Sequence, residues 1–401
     1  SREGSTHMQY PFTDEQLAIA ELARNFMERE VAPVGGEIDA RPDPKDCYPK
    51  ELINKASKLG LRTIALPEEY GGMDADIFTK TLALWEGAQI EVGTIKCLSQ
   101  CWKATTILSK AGTKAQKDHW FPKFAADDNA VCSLASTEPD HSTENRLHGG
   151  DPKLGMRTTA VKDGDHFVIN GAKRYTSLIG ESKLIVFYAR TDPDAPMNKG
   201  VTAFLLDGSE EGISFGQTHN KMGYRLYPNR ESYYDNVRVH RDNVLGEVNG
   251  AAAVRAHAFR GSAELAACNT GLARSLYKIC YEHAKERVQG GKPIIEHLTI
   301  RHMLAEMIMN IEVAEQFMWR ICWGAENDET FTSRFTRSGK VFSDKVGLKT
   351  IELGLDVLGG MGIMREGPSE KIVRDILTFL HGDGTDSATL LEAANTLESP
   401  A

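Results

Sequence analysis

The chain has 401 residues, with 47 Lys and Arg against 56 Asp and Glu, for a formal net charge of −9. Hydrophobic residues at 41% and charged residues at 26% are ordinary for a globular protein and exclude a mostly disordered chain. The acidic balance argues against a phosphate-backbone partner, which needs a basic face, and no apolar run reaches the ~18 residues of a membrane span.

Residues 1–7, ahead of Met8, read as a foreign leader and are set aside. No basic start followed by an apolar stretch signals secretion. A cytoplasmic protein is expected, with the mitochondrial matrix or peroxisome as alternatives. The seven cysteines are scattered, with no Cys-x-x-Cys pair. Cys97 and Cys101 share a helix face but have no further metal ligands nearby, so buried free thiols are the better reading.

The chain reads as helical over about 11–125. Thr13 with Gln16 fits a capping box, and Ile19, Leu22, Ala23 and Phe26 form an i, i+3, i+4, i+7 stripe. Pro33 is expected to close that helix. Further helices are expected over 49–60, 78–90 and 95–111, with breaks at Gly71-Gly72 and Gly112. From about 131 to 246 the period becomes that of strands, with apolar runs at 184–189 and 201–206. Asn170-Gly171 and Gly164-Asp165 are expected turns between short strands, which predicts a compact antiparallel β domain. From about 247 the helical period returns. Helices are expected over 251–288, 330–358 and 386–396. The stripe Ile300, Leu304, Met307, Ile311, Ala314 and Met318 predicts a long bundle helix. The expected domains are therefore 8–130, helical; 131–246, β; and 247–401, a four-helix bundle.

Several segments could carry chemistry. Gly359-Gly360-Met361-Gly362 follows a helical run, so it is either a helix terminus needing positive φ or a close approach to a phosphate. The hydroxyl-rich stretch from Ser136 to Thr143 is either a turn or a set of donors for a heteroaromatic edge or phosphates. Arg287, Gln289 and His297 lie in a polar segment that either binds an anion or joins two helices. In His381-Gly382-Asp383-Gly384-Thr385 a carboxylate stands between two glycines, as a turn residue or as an acid placed in a cleft. No metal-ligand spacing and no Gly-x-Ser-x-Gly elbow is present.

In combination these pieces resemble the acyl-CoA dehydrogenase superfamily over nearly the whole chain. Pro67-Glu68-Glu69-Tyr70-Gly71-Gly72, Thr137-Glu138-Pro139, Asn170-Gly171-Ala172-Lys173-Arg174-Tyr175-Thr176-Ser177, Asp242-Asn243-Val244-Leu245-Gly246, Leu358-Gly359-Gly360-Met361-Gly362 and Gly382-Asp383-Gly384-Thr385 are similar to family segments in order and spacing. The chain departs from the family at Gly290, where Phe is usual, and at Leu298, where Gln is usual.

The resemblance implies an α+β fold with an N-terminal helical domain, a middle antiparallel β domain and a C-terminal four-helix bundle. It implies FAD between the β domain and the bundle, with Leu134, Ser136, Thr137, Thr143, Tyr175 and Ser177 at the flavin edge. It places Arg287 on the pyrophosphate of a neighbouring subunit's cofactor, which implies a homotetramer, a dimer of dimers. Gln289, His297, Asp356, Gly359, Gly360 and Thr385 complete the implied cofactor contacts.

Asp383 takes the position of the family's catalytic Glu, with Glu264 or His381 as the competing base. The implied reaction is α,β-dehydrogenation of an acyl-CoA thioester, with an electron-transfer flavoprotein as acceptor. A second reading is an oxidase or monooxygenase using O2. It draws on similarity to nitroalkane oxidase at 147–155 and at Gly290-Gly291-Lys292-Pro293-Ile294-Ile295-Glu296-His297. A third is a helical scaffold without flavin.

Overall fold

Thr13 caps α1 (Asp14–Phe26) through the expected capping box, its side chain accepting the Gln16 N–H. The computed structural model describes residues 12–142, 151–259, 263–328, 331, 333–395 and 397. Thr143 and residues 147–150 lie outside them. Pro33 does not end the first helix. The chain runs through a π-helical stretch at Met27–Val31 into α2 (Ala32–Asp39), with Pro33 in its first turn. The π-helical stretch before Pro33, in which the Ala32 N–H reaches back to the Met27 carbonyl, lets the helix pass a residue that has no N–H to donate. Then come α3 (Lys50–Lys58), α4 (Ile77–Ala88), α5 (Val92–Ala111) and α6 (Lys114–Ala126). Asp76 caps α4 and Glu91 caps α5.

The middle of the chain forms an eight-stranded sheet from β1 (Val131–Ala135), β2 (Thr159–Asp163), β3 (His166–Ser177), β4 (Ser182–Arg190), β5 (Val201–Leu206), β6 (Ile213–Thr218), β7 (Asn229–His240) and β8 (Val244–Leu245). The order is β6-β7-β3-β2-β4-β5-β8, with β1 beside β4. Pairing is antiparallel except for β1–β4 and the single β2–β4 pair, Thr159 with Arg190. The run 184–189 is apolar at every position because β4 is covered on both faces. Leu184, Val186 and Tyr188 join the helical core, while Ile185, Phe187 and Ala189 join a second core within the sheet.

Gly164-Asp165 turns between β2 and β3, where Asp163 pairs with His166. Asn170-Gly171, in contrast, is not a turn. It lies inside β3 at a register shift against β7, and a Cβ on Gly171 would stand 2.5 Å from Thr158 Oγ1. A bulge and a turn both need a glycine-like residue, and only the partner strand decides between them.

The C-terminal helices are α7 (Ala251–Phe259), α8 (Glu264–Glu286), α9 (Leu298–Asn327), α10 (Ser333–Leu358), α11 (Glu370–Phe379) and α12 (Asp386–Ala394). A two-stranded hairpin, β9 (Val288–Gln289) and β10 (Lys292–Pro293), joins α8 to α9. The expected helix over 251–288 is thus two helices. α11 stands where none was expected, although its Ile376 and Phe379 are buried with three-residue spacing. In α9, Leu304, Met307, Ile311, Ala314 and Met318 of the expected stripe are buried. All seven cysteines are buried and free. Among the described residues no helix is long and apolar enough to cross a membrane.

Candidate active site

A cavity of about 530 Å³ opens between the sheet and the C-terminal helices. The end of β1 and the loop after it supply Leu134, Ser136 and Thr137, the end of β3 supplies Tyr175, Thr176 and Ser177, and the α11–α12 loop supplies Asp383 and Thr385. These residues are remote in sequence and converge because β1 runs antiparallel to the last part of β3, with Ser133 Oγ donating to the Ser177 carbonyl at 2.6 Å.

A buried ion pair fixes the first wall. Lys173 Nζ donates to Glu138 Oε1 at 2.8 Å and to the Ser136 carbonyl at 3.2 Å. Glu138 also accepts the backbone N–H groups of Arg157 and Thr158, at 2.7 and 3.0 Å. Burial alone would raise the Glu138 carboxyl, but the Lys173 charge and these donors hold it below the ordinary value. Burial pulls Lys173 down to about 8. The Arg174 N–H donates to the Thr137 carbonyl at 2.9 Å, tying the loop to β3.

β3 shifts register again between Lys173 and Thr176, and Tyr175 there has φ of 57°. That backbone is unfavourable for an aromatic residue and marks a bulge that re-aims a side chain. The result is a Tyr175 ring 55% exposed on the cavity, 4.6 Å from the His219 ring. Asn229 Nδ2 donates to the Tyr175 carbonyl at 2.7 Å and to Ser177 Oγ at 2.9 Å.

Asp383 occupies the opposite wall, also in the left-handed region with φ of 52°. Lys340 of α10 holds its loop, donating to the Leu380 carbonyl at 3.2 Å and the Gly384 carbonyl at 3.1 Å. The Lys340 ammonium also pairs with Asp344 and Asp386, at 2.6 and 2.7 Å. Thr385 caps α12 by accepting the Ala388 N–H. The Asp383 side chain is 33% exposed, with Oδ2 3.3 Å from Lys103 Nζ.

Lys103 is shared with the competing carboxylate. Its Nζ lies 2.8 Å from Glu264 Oε2, while Glu264 Oε1 pairs with Lys96 and accepts the Ser99 hydroxyl at 2.7 Å. Burial opposes ionisation of Glu264, but Lys103 and Lys96 outweigh it and hold the carboxyl down to about 2. Burial alone would lower Lys103, but Asp383 and Glu264 outweigh it and hold the ammonium above the ordinary lysine value.

The cavity fits a flat, polar-edged ring system. An exposed aromatic face, Tyr175, stands beside short hydroxyls. Thr176 Oγ1 and His219 Nε2 line it as buried polar atoms without a hydrogen-bond partner, which a bound heteroaromatic edge would satisfy. Among the described residues, Lys96, Lys103, Arg174, Lys221 and Arg255 line it against the single carboxylate of Asp383.

The remaining expected site residues lie elsewhere. Arg287 ends α8, Gln289 is in β9, and His297 Nε2 lies 2.9 Å from the Gln289 carbonyl. Asp356, Gly359 and Gly360 are at the exposed end of α10, with Gly359 at φ of 58° and open space around both glycines. Cys280 Sγ lies 3.6 Å from the Gly354 carbonyl, so the C-terminal ends of α8 and α10 share one end of the bundle. Glu264, at the other end of α8, is about 35 Å away along a helix of 23 residues. Within one chain, therefore, these residues and the Tyr175–Asp383 cavity form separate clusters.

Sequence reasoning missed Lys96, Lys103, Thr176, His219, Arg255 and Lys340. One signal was available for the first two: lysines seven apart, on one face of a helix otherwise rich in Cys97, Leu98, Cys101 and Trp102.

The chain matches the family models of the acyl-CoA dehydrogenase N-terminal domain over residues 13–128, middle domain over 133–237 and C-terminal domain over 250–397. It is 28% identical to cyclohex-1-ene-1-carbonyl-CoA dehydrogenase of Geobacter metallireducens, covering 97% of this chain and 99% of the relative. It is 27% identical to 3-(aryl)acrylate reductase of Clostridium sporogenes, covering 96% and 99%. The solved butyryl-CoA dehydrogenase from Megasphaera elsdenii superposes with a TM-score of 0.88 at 27% identity, covering 97% of this chain and all of the other. A chain from the electron transferring flavoprotein structure of Acidaminococcus fermentans gives 0.88 at 26% identity, covering 98% and 100%. The fold and the site define a flavin-dependent oxidoreductase. The chain belongs to the acyl-CoA dehydrogenase family.

Proposed function

We propose that the protein dehydrogenates an acyl-CoA thioester between its α and β carbons, with FAD as the flavin and Asp383 as the base. The observation that carries the choice of base is the unequal state of the two carboxylates. Glu264 is engaged by Lys96, Lys103 and Ser99 and held down to about 2, which makes it a weak base. The Asp383 side chain is 33% exposed on the cavity, with its Oδ2 3.3 Å from Lys103 Nζ.

The Asp383 carboxylate takes the α proton. When bound, FAD supplies the two-electron acceptor for the hydride leaving the β carbon. The cations around the cavity favour negative charge developing on the thioester oxygen. Tyr175 would hold the flavin ring by its face, Ser136, Thr137, Ser177 and Thr385 would offer it hydrogen bonds, and Leu134 would pack beside it. Arg287, Gln289, His297, Asp356, Gly359 and Gly360 serve the nucleotide end of a neighbouring subunit's cofactor in a homotetramer. An electron-transfer flavoprotein takes the electrons.

Asp383→Asn tests this reading. The variant is expected to bind flavin and fold as wild type while anaerobic flavin reduction by its acyl-CoA substrate slows ~100-fold or more. Near-wild-type reduction in stopped-flow absorbance would return the role to Glu264. Reduction of wild type by nitroalkanes and not by any acyl-CoA would overturn the thioester reading.

A further inference from the structure

A second cavity, of about 720 Å³, adjoins the first, and Lys103 lines both. Its walls come from α4, α5 and the ends of α7, α8 and α9. Behind Lys103 it continues along one face of α5, where Ser99, Lys103, Thr106 and Lys110 stand at i, i+4, i+7 and i+11. A chamber for a hydrocarbon chain would carry aliphatic side chains at these positions. This one carries hydroxyls and amines.

Opposite the α5 stripe, α4 contributes Lys80. Its Nζ donates to Thr106 Oγ1 at 3.1 Å. Among the described residues it has no carboxylate within ion-pairing distance, and burial pulls its ammonium below the ordinary lysine value. Three carboxylates also line this end, but two are already engaged. Asp76 accepts the Thr79 N–H at 2.6 Å and the Gln16 amide at 2.8 Å, and Glu326 accepts the Ile77 N–H at 3.0 Å. Asp74 is exposed. Burial raises the Glu326 carboxyl, which weakens its competition for a nearby cation. A sequestered ammonium beside hydroxyl donors is a site for an anionic oxygen.

We infer that this chamber holds the acyl part of the substrate and that Lys80, with Thr106, binds a carboxylate at its far end. The substrate class is a CoA monothioester of a dicarboxylic acid. The inference rests on the acyl-thioester reading above. Thr106 lies three residues and Lys110 seven residues beyond Lys103, so the carboxylate sits roughly 5–10 Å past it along α5. The selectivity comes from Lys80 and Thr106 and involves neither the base nor the flavin.

The test uses unreactive thioethers, so that binding is read apart from turnover. Titration calorimetry on the flavin-loaded protein compares S-(5-carboxypentyl)-CoA, S-(6-hydroxyhexyl)-CoA and S-hexyl-CoA. The carboxylate ligand is expected to bind on the order of tenfold tighter than the hexyl ligand, or more. Lys80→Met is expected to erase that preference, while Lys80→Arg keeps most of it. Thr106→Val reports independently if the Lys80 variants fold poorly, with a smaller loss confined to the carboxylate ligand. Equal binding of the carboxylate and hexyl ligands, or a preference unchanged in Lys80→Met, overturns the inference and leaves the thioester reading standing. Equal binding of the hydroxyl and carboxylate ligands overturns the anion assignment. Failure of all three to bind overturns both readings.

Discussion

Glu264 and Asp383 share one lysine, and that sharing divides their roles. A buried carboxylate between two ammonium groups is ionised because the pair charges outweigh its desolvation, so it is a structural anion. Its folded value, about 2, lies below the ordinary 4.5. The stability it contributes is therefore fully present above pH 4.5 and is lost as the pH falls through about 2. Glu264→Gln removes the carboxylate that Lys96 and Lys103 share, leaving Lys96 buried without its ion pair, and is expected to cost about 3–5 kcal/mol at neutral pH. The gap between variant and wild type should narrow in urea melts at pH 3. A gap of the same size at both pH values would mean that the carboxylate is not ionised against these lysines. None of this pairing was legible in the sequence, because Lys96 and Glu264 are 168 residues apart. The two glycines flanking Asp383 left a turn residue and a cleft acid both open; the structure places it on the cavity wall.

At the scale of elements, capping and stripe signals were read correctly, while Pro33, α11 and the turn at Asn170-Gly171 were not. The Thr13–Gln16 box and the stripe of α9 follow from short-range rules and stand as expected. Asn170-Gly171 was misread because β7, not β3, decides whether the chain bulges or turns there. The α11–α12 loop is another partner-dependent element. Asp383 holds a left-handed backbone, which persists where the surroundings over-determine it. Lys340 supplies that constraint from α10, gripping carbonyls on both sides of Asp383. Lys340→Met should release the loop, speeding hydrogen exchange of the amides at 381–385 and slowing flavin reduction by roughly tenfold or more, as expected when a positioned base loses its geometry. Lys340→Arg should recover part of both. Unchanged exchange at those amides in the Met variant would show that the loop is held by Asp383 and its glycines alone.

At the scale of the molecule, the two clusters of expected cofactor residues lie at opposite ends of the bundle, which a single chain leaves unexplained. The end bearing Arg287 also exposes large apolar side chains. Val288 is 59% exposed, Leu298 79% and Ile363 72%, while α9 exposes Met309 and Val313 on the face opposite its buried stripe. Apolar surface of this kind marks an interaction site, and an assembly that covers it would bring one chain's Arg287 to another chain's cavity. Leu298→Glu with Ile363→Glu places charge on that surface without touching the Tyr175–Asp383 cavity. The double variant is expected to elute as a smaller species by size exclusion with light scattering and to lose flavin in parallel, although every residue of its own cavity is intact. Arg287→Ala should lose flavin through the missing charge-assisted hydrogen bonds, each ~1.5–3 kcal/mol. A wild-type protein that is monomeric with full flavin occupancy would separate Arg287 from the cofactor. It would leave the cavity between the sheet and the C-terminal helices as the whole of the site.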